Sequence, residues 1–173
     1  MNVLDTRYRY GAVSRAIHWS MAVLLVLMLG SDWLMEAFEG LGEAQLMGLH
    51  KSVGVLLLGL LVFRLAWRRA NRGRLEAPEH WEWASRLGHW ALYGMMVLIP
   101  ATGLLAAMGS GHGVEFFGLP LISPGAEIEW LEDAAEETHE VTANLLWLLI
   151  AGHVVAVLAH QLWLHDRTLK RMA

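Results

Sequence analysis

The chain has 173 residues, of which 55% are hydrophobic, with a mean hydropathy of +0.39 and a formal net charge of −4. Soluble domains are about 45–50% apolar, and several apolar runs here approach the ~20 residues that cross a bilayer as a helix, so the composition indicates a polytopic membrane protein. Because the chain contains no cysteine, it cannot hold disulfides, thiolate-bound iron–sulfur clusters, covalently attached c-type haem or a catalytic thiol.

Four apolar segments are predicted to be transmembrane helices, over about residues 14–35, 47–67, 87–108 and 138–164. No sequence repeat or second domain is visible. The predicted fold is therefore a single all-α domain over residues 1–173, a bundle of four transmembrane helices. The first segment follows a basic N-terminus but is not followed by a small-x-small cleavage site, so we expect it to be retained rather than removed as a signal peptide.

The connectors carry opposite charges on the two sides of the membrane. Residues 36–47 are acidic, residues 68–86 are basic and end in a predicted short interfacial helix that starts at Pro78, and residues 109–138 form a long loop, first glycine-rich and then acidic. Twelve of the 13 Lys and Arg lie on the side of the N-terminus. Twelve of the 17 acidic residues lie on the other side, together with Lys51. The positive-inside rule therefore predicts that both termini are cytoplasmic.

Histidines inside the fourth span are the first sign of a function. His139 and His153 are 14 residues apart, which on a helix is ~1400°, about 40° short of four full turns, and a rise of ~21 Å. They therefore share one helix face, with one near each side of the hydrocarbon layer. His160 follows seven residues after His153, ~10 Å nearer the inner boundary. Imidazoles within a membrane helix are costly and are therefore candidates for function.

The other spans supply histidines at the same two depths. His50 lies at the outer end of span two, level with His139. His18 and His89 each lie about one turn above the inner boundary, level with His153. Two layers of facing imidazoles in a four-helix bundle are typical of two b-type haems, each with two histidine ligands. The spacing alone leaves either His18 or His89 as the partner of His153.

Other interpretations of these histidines use the same positions. A di-metal site would need carboxylates beside the histidines, and the inner layer has none; a proton relay is weakened for the same reason. The histidines could also only pack, in a non-redox small transporter or structural membrane subunit. His89 and His160, with Arg15 and Arg86 at the same depth, could bind a quinone, or could be interfacial histidines beside arginines that reach to the surface.

Segments from all four spans resemble the bacterial cytochrome b561 family. They read RYGAVSRAIHWSMAVLL, MGLHKSVGVLLLGLLVFRLAWR, RLGHWALYGMMVLIPATGLL and THEVTANLLWLLIAGHVVAVLAH. The resemblance covers almost the whole chain, and the family is related to the di-haem cytochrome b subunits of hydrogenases and formate dehydrogenases. It implies two b haems in a multi-pass protein of the bacterial inner membrane.

The resemblance also implies roles for individual residues. In the family the fourth span gives one ligand to each haem, so His50 and His139 would hold the outer haem iron and His18 and His153 the inner one. His89 and His160 fall on positions near the inner quinone region. The resemblance, not the spacing, thus selects His18 over His89.

The implied function is transmembrane electron transfer between the periplasmic face and the quinone pool, by a respiratory cytochrome in membrane lipid with no nucleic-acid partner. The alternative implied by the family is an enzyme, superoxide oxidase, with ubiquinone as electron acceptor. An anionic substrate is steered by positive potential, and Lys51, adjacent to His50, is the candidate for its entrance on an otherwise acidic outer face. That acidic face would equally suit a basic, soluble periplasmic electron carrier.

Overall fold

A computed structural model describes residues 2–37, 42–74, 81–165 and 168–172. Four helices are long and apolar enough to cross a membrane: α1 (Ala12–Leu29), α3 (Glu43–Ala70), α4 (Glu82–Gly109) and α5 (Glu129–Leu162). They confirm the predicted all-α bundle of four spans. Shorter elements join them, namely α2 (Ser31–Ala37), β1 (Val114–Phe116), β2 (Leu119–Ile122) and α6 (Thr168–Met172). The orientation of the termini stays a prediction.

The first predicted span, residues 14–35, is not one helix. Helix α1 ends at Leu29, Gly30 forms its C-cap, and α2 begins at Ser31. The Ser31 hydroxyl donates a hydrogen bond to the Met28 carbonyl in the last turn of α1. The break places Ser31 near the start of α3, where it has a role in the site.

The other helices extend beyond the predicted spans. Helix α3 begins at Glu43 rather than 47, and α5 begins at Glu129 rather than 138. Acidic residues in the first turn of α5, Glu129 and Glu132, favour this early start because they complement the helix dipole. Residues 82–86 of the predicted interfacial helix are the first turns of α4, while residues 78–80, including Pro78, lie outside the described residues.

The loop predicted over residues 109–138 contains a β-hairpin that the sequence did not reveal. Strands β1 and β2 pair antiparallel, with Phe116 opposite Leu119. Phe117 and Gly118 form the two-residue turn with φ of 49° and 84°, as a type I′ turn requires. The hairpin lies on α3, where the Phe117 N–H donates to the Ser52 Oγ at 3.0 Å. The Ser52 hydroxyl itself donates to the Gly48 carbonyl within α3 at 2.8 Å.

The four spans pack unevenly. Helix α5 packs closely along α4, and α1 packs along α3, but the backbone of α5 approaches α1 and α3 hardly at all. The buried core belongs to α1, α3 and α4 and comprises Ile17, Met21, Leu57, Leu61 and Tyr93. A cavity of about 310 Å³ opens beside α5, lined by Leu29, Trp33, Asn144 and Trp147. The backbone of α5 therefore stands apart from α1 and α3, and this separation is the gap across which His139 and His153 face histidines of the other spans.

Candidate functional site

Two imidazoles meet at the outer side of this gap. His50 projects from α3 and His139 from α5, and their ring centroids are 6.1 Å apart with an interplanar angle of 61°. An imidazole nitrogen lies ~2 Å from a first-row metal ion, so two rings on opposite sides of one ion have centroids ~6 Å apart. The separation of His50 and His139 therefore suits one metal ion between them.

Hydrogen bonds orient both outer rings through Nδ1. The His139 Nδ1 lies 2.9 Å from the Ile99 carbonyl, which can only accept, so this nitrogen carries the proton. The His50 Nδ1 lies 2.7 Å from the Ser31 Oγ, whose own hydrogen is donated to Met28, so here too Nδ1 is the donor. In both rings Nε2 keeps its lone pair. A proton fixed on one nitrogen while the other faces a metal is the usual arrangement of metal-binding histidines.

Glycine at position 103 makes room for the His139 ring. A Cβ on Gly103 would lie 3.1 Å from the His139 Cε1 and 3.2 Å from its Nδ1. Thr102, buried in the same turn of α4, has its Oγ1 3.2 Å from the His139 Nδ1. The surface of α4 is therefore shaped to hold this imidazole.

Three imidazoles meet at the inner side. The centroid of His153 on α5 is 6.4 Å from that of His18 on α1 and 5.6 Å from that of His89 on α4, with near-perpendicular rings in both pairs. The His89 Nδ1 donates to the Ser85 carbonyl at 2.6 Å. The structure thus brings both alternative partners of His153 together. The His18–His153 distance suits an intervening ion better than the shorter His89–His153 distance does.

An arginine that was not singled out from the sequence completes the inner cluster. The Arg64 Nη1, from α3, lies 2.9 Å from the His18 Nδ1. The Arg64 and Arg68 guanidinium groups lie 5.9 Å and 5.7 Å from the centroid of the Tyr93 ring, and Arg68 donates to the Tyr93 hydroxyl at 2.9 Å. The sequence did contain a signal for this residue: Arg64 lies within the apolar run of span two, and a charged side chain in a membrane helix is costly unless it has a partner.

The residues predicted to bind a quinone are less closely gathered. His160 is buried, 7% exposed, and its ring packs edge-on against Trp81 at 6.0 Å. Arg86 forms an ion pair with Glu82 one turn earlier in α4, and its side chain is 70% exposed. Arg15 is half-buried on α1, and at the outer side Lys51 is half-buried beside His50. His89 and His160 thus lie inside the bundle, whereas Arg86 is held at its surface.

The donor set fits haem better than a metal held by protein side chains alone. Among the described residues, no three imidazoles, carboxylates or thiols converge on one metal position. What the described residues offer instead are facing imidazole pairs across a gap that the helix backbones leave open. A porphyrin supplies four metal ligands of its own and needs from the protein only two axial ligands and a flat, apolar space.

Comparisons with known proteins identify the family of this chain. Residues 9–173 match the family model described as prokaryotic cytochrome b561. The chain is 31% identical to cytochrome b561 homolog 2 of Escherichia coli (strain K12), over 99% of this chain and 95% of that protein. It is 26% identical to the probable superoxide oxidase CybB of Yersinia pestis, over 95% of both chains, and 31% identical to cytochrome b561 homolog 1 of Escherichia coli (strain K12), over 71% of this chain and 72% of that protein. The chain therefore belongs to the prokaryotic cytochrome b561 family, whose membership implies a multi-pass bacterial membrane protein that binds haem b.

Proposed function

We propose that this protein is a di-haem b cytochrome that carries electrons across the inner membrane between its periplasmic face and the quinone pool. His50 and His139 hold the outer haem, and His18 and His153 hold the inner one. The observation that carries the proposal is the pair of metal-compatible imidazole separations, 6.1 Å and 6.4 Å, that share α5 as their common helix. Haem b supplies a one-electron redox centre at each position.

The protein's own part is to orient the ligands and to fix the distance between the two sites. The Ile99 carbonyl and the Ser31 hydroxyl hold the outer rings through Nδ1, so Nε2 is the nitrogen that would bind iron. The 14-residue separation of His139 and His153 on the unbroken helix α5 sets the two sites ~21 Å apart along the helix axis. The proposal includes a single domain over residues 1–173 with cytoplasmic termini; the family match over residues 9–173 and the distribution of Lys and Arg support it.

The quinone site of the proposal lies beside the inner haem. His89 and His160 are its central residues, because both are imidazoles near the cytoplasmic end of the bundle and could donate or accept the protons that quinone reduction requires. Arg15 and Arg86 lie at the same end and complete the candidate set. The ion pair of Arg86 with Glu82 at the surface gives that residue the weaker case.

A second candidate function is superoxide oxidase, with ubiquinone as electron acceptor. The observation that favours it is similarity over nearly the full length to a protein named probable superoxide oxidase CybB. Lys51, half-buried next to His50, could attract an anion to the outer haem. The acidic start of α5, which includes Glu129 and Glu132, suits a basic electron-carrier protein instead. Stopped-flow mixing with superoxide, with ubiquinone present as acceptor, distinguishes superoxide from a carrier protein as the electron donor, because only the superoxide oxidase function predicts that superoxide reduces the haems.

The haem ligands are tested by haem content and spectra. We expect two haems per chain with a low-spin bis-imidazole spectrum. His50→Ala and His139→Ala should remove the same haem and leave the other, while His18→Ala and His153→Ala remove the second. Loss of different haems from the His50 and His139 variants would break the proposed pairing. Colourless purified protein would refute the redox function and favour a transporter or structural subunit.

A further inference from the structure

The hydrogen bond of His18 differs in kind from those of the other histidines that face the gap. The Nδ1 atoms of His50, His89 and His139 lie against oxygen acceptors and carry protons. The His18 Nδ1 lies against a guanidinium, which has only N–H donors. This nitrogen must therefore accept, so the proton of the neutral His18 ring is on Nε2.

This proton position conflicts with iron binding through Nε2. A neutral imidazole has one lone pair in the ring plane, and in His18 Arg64 occupies it. To bind iron through Nε2 while Arg64 stays on Nδ1, the ring would have to lose its only N–H and become an imidazolate. If the proton moves to Nδ1 instead, Arg64 must leave, because two donors cannot face each other. Iron binding by His18 therefore requires that Arg64 donate its hydrogen bond to another acceptor in place of the His18 Nδ1.

The surroundings of Arg64 point to an anion as that acceptor. Among the described residues, no carboxylate forms an ion pair with Arg64 or Arg68, although both emerge from a transmembrane helix. Tyr93, which is buried, has its ring 5.9 Å from the Arg64 guanidinium and 5.7 Å from that of Arg68, and its hydroxyl accepts a hydrogen bond from Arg68. A guanidinium in an apolar setting binds a carboxylate through short, paired hydrogen bonds. Each b haem carries two such carboxylates, its propionates.

We propose that Arg64 is a haem-binding residue that exchanges partners: it gives up the His18 Nδ1 and binds a propionate of the inner haem when His18 takes the iron. The exchange lets the proton move to Nδ1 and leaves the Nε2 lone pair for iron. It also sets the Arg64 cation beside the inner haem. This inference rests on the proposed function, because it takes His18 as an inner ligand.

The test compares Arg64→Met with Arg68→Met in the purified di-haem protein. Both variants remove one guanidinium from α3 and keep a long apolar side chain, but only Arg64 contacts a candidate ligand. We expect Arg64→Met to shift the midpoint potential of the inner haem to a more negative value, since a nearby cation favours the reduced form. The propionate bending band in the resonance Raman spectrum should shift with it. Arg64→Lys should retain most of the wild-type potential, and Arg68→Met should change neither readout.

Several results would overturn the exchange. They are an Arg64→Met protein whose potentials and Raman spectrum match the wild type, and an Arg68→Met protein that changes as much. A wild-type ferric EPR signal of an inner haem with an imidazolate ligand would show that Arg64 stays on His18; this measurement needs no variant and holds even if Arg64→Met fails to fold. Retention of the inner haem by His18→Ala would also overturn it. By contrast, a wild-type protein without haem would refute the proposed function itself.

Discussion

The glycine at position 103 allows a quantitative test of the outer site. A Cβ there would lie 3.1 Å from the His139 ring, closer than most carbon contacts, so even alanine would push the ring by a few tenths of an ångström. Valine adds two more methyl groups, and its branched side chain cannot turn away freely in a helix. Overpacking of this kind costs ~1–3 kcal/mol, which corresponds to about a 5- to 150-fold loss of affinity if the strain falls on the histidine–iron contact.

We expect Gly103→Val to lose the outer haem and retain the inner one, with Gly103→Ala less affected. The pyridine haemochrome assay gives the haem content per chain, and comparison with the spectra of the His139→Ala and His18→Ala variants identifies the haem that remains. Gly94→Val is the matched control: it lies in the same helix, nine residues earlier and therefore on the opposite face, and nothing lies within 4 Å of its added Cβ. Full haem content in Gly103→Val, or an equal loss in Gly94→Val, would refute the packing argument.

Three further changes test other parts of the molecule. Ser31→Ala removes the acceptor of the His50 Nδ1 proton, so we expect a ~10- to 100-fold loss of outer-haem affinity, measured by haem transfer to an acceptor protein; unchanged transfer would show that Ser31 does not orient the ring. Ser52→Ala leaves the Phe117 N–H without its partner and should lower the free energy of unfolding by ~1–3 kcal/mol, measured by thermal melting in detergent with haem spectra as the control. Lys51→Glu should slow haem reduction by superoxide in stopped-flow mixing, increasingly at low salt; equal rates would remove Lys51 from the substrate path.

The sequence predicted the depth of each histidine in the membrane better than it predicted how each helix is rotated about its own axis. The four spans and the two histidine layers follow from apolar length and a rise of 1.5 Å per residue, quantities that a single helix fixes by itself. Which side chain of one helix meets which of another depends on how the helices rotate and pack. For this reason the spacing could not decide between His18 and His89, both of which the structure brings against His153.

Local departures from helical periodicity were also missed. The end of α1 at Gly30 falls inside a continuous apolar run, so hydropathy alone extends the helix to residue 35. The hairpin strands have only three and four residues, too few for an alternating pattern to stand out, and β2 includes Pro120. The contact of Arg64 with His18 was also missed, because His18 lies 46 residues earlier in the chain and no local pattern connects the two residues.

The uneven packing of the spans has a consequence for how the protein is made. Helices α1 and α3 pair early in the chain, and α4 and α5 pair late, so each half can form as an antiparallel hairpin soon after it leaves the ribosome. Between α5 and the first half, the backbones hardly touch, and facing imidazoles cross the gap. Because α4 already shares the core with α1 and α3, we expect cofactor insertion to be the last step of biogenesis and to join α5 to α1 and α3. In cells starved of iron, we expect the chains to insert into the membrane without haem and then to be degraded by quality-control proteases.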